Sequence, residues 1–386
     1  MVALFTTIGF ILAGYSVIAN DSVQTLGTWI ASNRERFKWW QLWIAASSVL
    51  IVTLVVGWLG LEINIIGLEI NIIEDWPWIQ VLFTGEGWPW IQVLVTEARD
   101  ISFGRLTEIP YIEPQWYHAL APLALVALTR KGIPVSTSFL VLSAFASTFV
   151  LEKMLIKSML GYGLAALVAY VLWLVVARLI DEKEDISEKY KPFWRTFQWF
   201  STGFLWYTWL SHDVANIAVF LPRQIEAWQL VLIIIFFVAG LANIFYSKGG
   251  KIQQIVLDKQ STKYVRSATL IDLAYAFLLL YFKQMNEIPM STTWVFVGLL
   301  CGRELALNTG LTKKGNIKMI FPIVAKDFLK LMVGLMVSVA IVLAIHYGTD
   351  QRELNQAAAD KLELIKSNES EILDNNSVET PDTIQE

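Results

Sequence analysis

Two short stretches, far apart in this 386-residue chain, carry the same residue types in the same order. Asn20-Asp21-Ser22-Val23-Gln24 and His212-Asp213-Val214-Ala215-Asn216 each set a carboxylate and an amide three residues apart, on one face of a helix. Both lie in apolar surroundings, where an ionised carboxylate is costly unless it meets a cavity or a partner. Oxygen-rich side chains in such a place suit a cation, so Asp21 and Asp213 are expected to face a cavity and to hold cations there.

A second matched pair follows. Ile133-Pro134-Val135-Ser136-Thr137-Ser138 and Ile288-Pro289-Met290-Ser291-Thr292-Thr293 read as helices that begin inside the membrane, because proline is tolerated at a helix start and hydroxyls serve the free backbone groups there. Free amides, hydroxyl donors and the positive end of the helix dipole favour an anion without a buried Arg or Lys. The spacing supports a repeat of the whole unit. Asp21 to Ser136 spans 115 residues and Asp213 to Ser291 spans 78, a difference matched by the unequal loops of about 55 and 19 residues that separate them.

Positioning these groups requires membrane helices. The chain is 55% apolar and 17% charged, with 17 tryptophans, which places it among polytopic membrane proteins. Apolar runs long enough to cross a bilayer fall at 3–31, 39–60, 116–130, 133–150, 158–180, 196–220, 227–246, 266–284, 288–306 and 319–347. The third and fourth meet at Lys131-Gly132-Ile133-Pro134 and the eighth and ninth at Glu287-Ile288-Pro289, so either pair reads as two spans or as a re-entrant hairpin. Five segments per half is an odd number, which inverts the second copy relative to the first, as in secondary transporters. Lys and Arg concentrate in alternate connections, which predicts those connections inside and both termini outside. The predicted fold is therefore all-α, with about ten transmembrane segments in two inverted repeats and broken or re-entrant helices.

The predicted organisation is a first repeat over 1–180 with a long outer loop at 61–115, a cytoplasmic linker at 181–195, a second repeat over 196–347 and a polar tail over 348–386. The stretch from Tyr347 onward holds ten acidic and three basic residues against an overall charge of -4, so it reads as a solvated appendage. Gly60–Ile66 repeats as Gly67–Ile73, and Trp76-Pro-Trp-Ile-Gln-Val-Leu returns at Trp88. These duplications are too short for a repeat architecture, and the loop suits an interfacial segment on the outer leaflet. Val2–Ala19 has no basic stretch before it and no cleavage site after it, and reads as a membrane helix.

At the four motifs the chain resembles the inorganic phosphate transporter (PiT) family. Each half of that family carries Gly-Ala-Asn-Asp-x-x-Asn and Pro-x-Ser-Thr-Thr-His, and the likeness extends over about residues 5–345. The resemblance implies a bacterial inner-membrane symporter of an inorganic oxyanion, phosphate or sulfate, with sodium as coupling ion and no cofactor. It implies cation-binding positions at Asn20, Asp21, His212, Asp213 and Asn216. Substrate-binding positions fall at Gln24, Ser136, Thr137, Ser138, Ser291, Thr292 and Thr293. The chain departs from the pattern where Gln24 replaces an Asn, His212 stands before Asp213, Ser138 replaces a Thr, and Phe139 and Trp294 replace histidines. His212 titrates near neutral pH in its unperturbed state, which keeps proton coupling open beside sodium.

Other polar residues carry less. Asp272 in the eighth segment faces either the cavity or the cytoplasmic surface. Glu152, Arg303 and Glu304 sit where snorkelling to water is easy, and His118 and His346 form no ligand cluster. The single Cys301 excludes a disulfide or a cysteine metal site. There is no phosphate-binding loop, no nucleophile elbow and no nucleic-acid-binding face. An enzyme is not expected, and a homodimer is compatible with the tryptophan-rich outer faces. An anion channel on the same scaffold, a membrane-embedded acid/base enzyme and a non-transporting sensor remain as rival readings.

Overall fold

A computed structural model describes residues 2–60, 100–130, 135–179, 189–247, 265–309, 317–348 and 360–361. The tandem duplications, the Ile133-Pro134 pair, most of the 181–195 linker and nearly all of the acidic tail lie outside the described residues. Among the described residues the regular structure is helical. Helix α1 (Val2–Ser16) runs through a wide π turn (Val17–Asp21) into α2 (Ser22–Asn33), and α3 (Trp39–Trp58) follows. After an outer strap come α4 (Leu120–Arg130), a second π turn (Ser138–Leu142) and the long α5 (Thr148–Leu179). The remainder comprises α6 (Lys191–Asp213), a single turn at Ala215–Ala218, α7 (Ala227–Tyr246), α8 (Val265–Met285), α9 (Thr292–Thr309) and α10 (Ile317–Gly348).

Among the described residues, five stretches are long and apolar enough to cross a bilayer: Leu4–Asp21, Trp39–Trp58, Thr148–Val175, Ala227–Tyr246 and Ala268–Met285, with a shorter apolar run at Leu331–Ile345. Their outer faces are bare hydrocarbon, for example Leu160, Leu167 and Val171 on α5 and Val231, Leu232 and Ile235 on α7. Lipid accepts such faces because the helix satisfies its own backbone groups. Helix α6 differs, burying Gln198, Thr202, Thr208, Ser211, His212 and Asp213 on an aromatic and polar face. It packs against α8, α3 and α2 and forms the middle of the bundle.

The sequence-predicted segment 133–150 is not one helix. The π turn at Ser138–Leu142 gives way to turns at 143–145, and α5 begins at Thr148, ten residues before the predicted start of the next segment. Lys153 and Lys157 therefore lie inside α5 rather than in an outer connection. The Lys153 ammonium rests 4.0 Å from the Phe149 ring centroid. Lys157 Nζ donates to oxygens of Asn286 and Ile288, so neither charge ends the helix.

The tryptophans do structural work at the helix contacts. The indole N–H groups of Trp43, Trp58 and Trp206 donate to the carbonyls of Val238, Ile225 and Ala46, at 2.9, 2.9 and 3.1 Å. Each bond ties an apolar ring to the backbone of a neighbouring element, which an aliphatic side chain cannot do.

Helices α5 and α9 make the most extensive helix pair. Gly298 and Gly302, four residues apart on α9, let the backbones meet, since a Cβ at either would run into the carbonyl of Tyr162 or Ala166. Because those obstacles are backbone atoms, Gly302→Ala is expected to destabilise the bundle by about 2 kcal/mol or more. Gly163→Ala, which meets nothing within 4 Å, is expected to be close to neutral. Thermal unfolding of the two variants in detergent checks the contrast.

Candidate functional site

The site begins with the π turn. Its extra residue closes with the Ser22 N–H bonded to the Val17 carbonyl, five residues back, and delivers Asn20 and Asp21 to the bundle interior. Asp21 is fully buried. Asn20 Nδ2 donates to Asp21 Oδ1 at 2.6 Å and reaches the Val135 carbonyl at 3.3 Å. Thr137 Oγ1 donates to Asp21 Oδ2 at 2.5 Å. The first carboxylate is thus joined to the start of the first half-helix.

The second copy repeats this bonding. Asp213, fully buried at the end of α6, accepts from Asn216 Nδ2 at 2.9 Å and from Thr292 Oγ1 at 2.6 Å. Both half-helix starts are capped alike, with Ser136 Oγ accepting the Phe139 N–H and Ser291 Oγ accepting the Trp294 N–H, each at 3.2 Å. In the first half the amide partner is the neighbouring Asn20, and in the second it is Asn216, three residues on. The Gln24 amide oxygen has no partner.

Ser138 links the site across the two halves. Ser138 Oγ donates to Asp213 Oδ1 at 3.2 Å, so consecutive side chains, Thr137 and Ser138, serve the two carboxylates. Each acid is near enough to feel the other's charge. The Phe139 and Trp294 rings, at the positions where the resemblance has histidines, pack on each other with centroids 5.7 Å apart. These aromatics join the two half-helices where polar contacts were absent from the sequence.

Three polar atoms around this centre are buried and unpaired: Gln24 Oε1, Asn216 Oδ1 and Thr293 Oγ1. Two are obligate acceptors and the third can donate or accept. His212 behaves differently. Its Nε2–H donates to the Leu279 carbonyl at 2.7 Å, leaving Nδ1 as an unpaired acceptor, and the ring ties α6 to α8 rather than bonding to either carboxylate.

Ser158, Tyr275, Thr28 and Thr202, which sequence reasoning did not single out, complete the setting. Ser158 Oγ accepts the Ser291 N–H at 2.8 Å, and Tyr275 O–H donates to the Thr292 carbonyl at 2.9 Å. Asp272 is buried, with Thr28 Oγ1 and Thr202 Oγ1 donating to its two oxygens at 3.0 and 2.5 Å. Thr28 shares a face of α2 with Asp21 and Gln24, at spacings of seven and four, and that periodicity was the available signal. Among the described residues no group of three His, Cys, Asp or Glu side chains stands close enough to hold a metal ion.

These features define a membrane-embedded helical bundle with a closed polar centre built from two matched half-helix starts. A solved structure, the sodium-dependent phosphate transporter, has the same fold, with a TM-score of 0.50 at 15% identity over 94% of this chain and 99% of that one. No protein-family profile and no curated protein matches the chain.

The bonding makes a stability prediction. Thr137→Val or Thr292→Val removes a donor from a buried carboxylate and is expected to cost about 1–3 kcal/mol. Thr293→Val removes an unpaired hydroxyl and is expected to leave the unfolding midpoint nearly unchanged. Thermal unfolding in detergent without added oxyanion distinguishes them.

Proposed function

We propose that the chain is a secondary active transporter that carries an inorganic oxyanion, phosphate first, together with sodium across the bacterial inner membrane. The observation that carries this reading is the bonding of adjacent Thr137 and Ser138 to Asp21 and Asp213, one acid from each half. Two carboxylates so close in a dry interior repel each other, and cations relieve that repulsion. Asp21 with Asn20, and Asp213 with Asn216, supply oxygen ligands for such cations. The half-helix starts at Ser136, Thr137 and Ser138 and at Ser291, Thr292 and Thr293, with Gln24 beside them, supply donors for the anion.

Coupling then follows from electrostatics. Cations at the carboxylates turn a site that repels an oxyanion into one that attracts it, and the anion in turn holds the cations. Such reciprocal linkage is typically about 1–3 kcal/mol. The matched motifs support two halves of opposite orientation, 1–180 and 196–347, with both termini outside. Movement of one half against the other around the Phe139–Trp294 contact would alternate access. The shared fold with the sodium-dependent phosphate transporter supports the same reading.

Proteoliposomes under an inward sodium gradient should accumulate labelled phosphate above its equilibrium level, which a channel cannot do. Sulfate and an imposed proton gradient form the comparison arms. The proposal is overturned if neither anion accumulates under either gradient. Asp21→Asn and Asp213→Asn should each weaken sodium activation of uptake, and unaltered activation in both would refute the assigned roles.

A further inference from the structure

A cavity of about 410 Å³ lies at the connection between α2 and α3, and none of the central site's residues lines it. The apolar span Trp39–Trp58 begins there and the span Ala227–Tyr246 ends there, with Trp39, Trp40 and Phe245 among the lining residues. The cavity therefore sits at a membrane–water boundary, the level at which Trp and Tyr side chains concentrate. Tyr246, 71% exposed, meets the Trp39 ring edge-on with centroids 5.5 Å apart.

The charge of the cavity is one-sided. Arg34, Arg36 and Lys38 line it against a single carboxylate, Glu35, and all four side chains are exposed. Among the described residues none of the three basic groups forms an ion pair. A fourth cation stands nearby. Burial, and then the charge of Arg36, hold Arg195 below the ordinary guanidinium range, and its Nη1 donates to Asn33 Oδ1 at 3.0 Å. Like charges gathered at the edge of a low-dielectric region repel one another, and an anion relieves that repulsion.

The connection is fixed in place. The Arg36 and Phe37 N–H groups donate to the Asn33 carbonyl at 3.0 and 2.9 Å, and the Phe37 ring meets Trp199 edge-on at 5.2 Å. The Lys38 N–H donates to Gln41 Oε1 at 2.9 Å, closing the first turn of α3. From the cavity an exposed apolar stripe runs along α3 through Trp40, Ile44 and Ile51, at helical spacings of four and seven. A free anion needs only the basic groups, whereas a lipid needs the stripe as well.

We propose that this cavity binds the phosphate headgroup of an anionic phospholipid, with Arg34, Arg36 and Lys38 at the phosphate and an acyl chain along Trp40, Ile44 and Ile51. A guanidinium meets a phosphate through two parallel hydrogen bonds, and the tryptophans match the depth of the headgroup region. The site does not depend on the transport reading. Its occupant ties to the membrane surface the far end of α2, the helix that begins beside Asp21.

The test is equilibrium binding of tail-labelled phosphatidylglycerol to the purified protein in neutral detergent, with tail-labelled phosphatidylcholine as the reference lipid. Saturable binding that favours phosphatidylglycerol is expected. Arg34→Gln, Arg36→Gln and Lys38→Gln should each weaken it about fivefold, the factor for about 1 kcal/mol per basic residue near an anionic lipid surface, and Arg36→Lys should weaken it less. Arg130→Gln, at an exposed basic position that does not line the cavity, should leave it unchanged. Equal affinity for the two lipids, or unaltered binding in the three neutralised variants, overturns the proposal. An equal loss with Arg130→Gln also overturns it, because that marks a diffuse attraction. Displacement of the lipid by inorganic phosphate would make the free anion the occupant and overturn it too.

Discussion

Everything at the centre of this molecule follows from placing two carboxylates in a space that excludes water. Asp21 and Asp213 are fully buried, and the neighbouring elements are arranged to supply them with donors. Hydroxyls arrive from two half-helix starts and amides from the acids' own helices. A buried acid served only by neutral donors is short of positive charge. That deficit distinguishes the centre from a polar core in which charges are already matched.

The polar cluster that Arg105 and Lys157 form around the Asn286 carbonyl lies beside this centre. The Ser158–Ser291 bond connects them mechanically, since Lys157 and Ser158 hold consecutive parts of one turn.

Much of this centre was legible in the sequence because it is written twice. A single Asp or a single Ser-Thr pair in an apolar helix has many uses, whereas matched copies in matched order have few. The bonds of Thr137 to Asp21 and of Thr292 to Asp213 join the residues that the two motifs named. The break after Leu142 and the early start of α5 were not legible, because Lys153 and Lys157 look like loop charges until the Phe149 ring under the first and the Asn286 and Ile288 oxygens that meet the second are known. Gln24 stands in the sequence where the second motif has Asn216, yet the amide that bonds to Asp21 is that of Asn20. The burial of Arg105 was hidden because its placement depends on a left-handed reversal at Phe103, a non-glycine residue that gives no sequence signal of such a turn.

The widened turn at Val17–Asp21 has a further consequence for how this chain can vary. An inserted residue in a helix shifts everything beyond it by about 100° around the axis. The face of α1 against its neighbours and the face of α2 that bears Asp21, Gln24 and Thr28 are therefore phased by that one residue. Shortening the turn to regular α geometry would swing the acid out of register without altering a single side chain. Length in this segment thus sets the geometry of the polar centre as much as the identity of the residues in it.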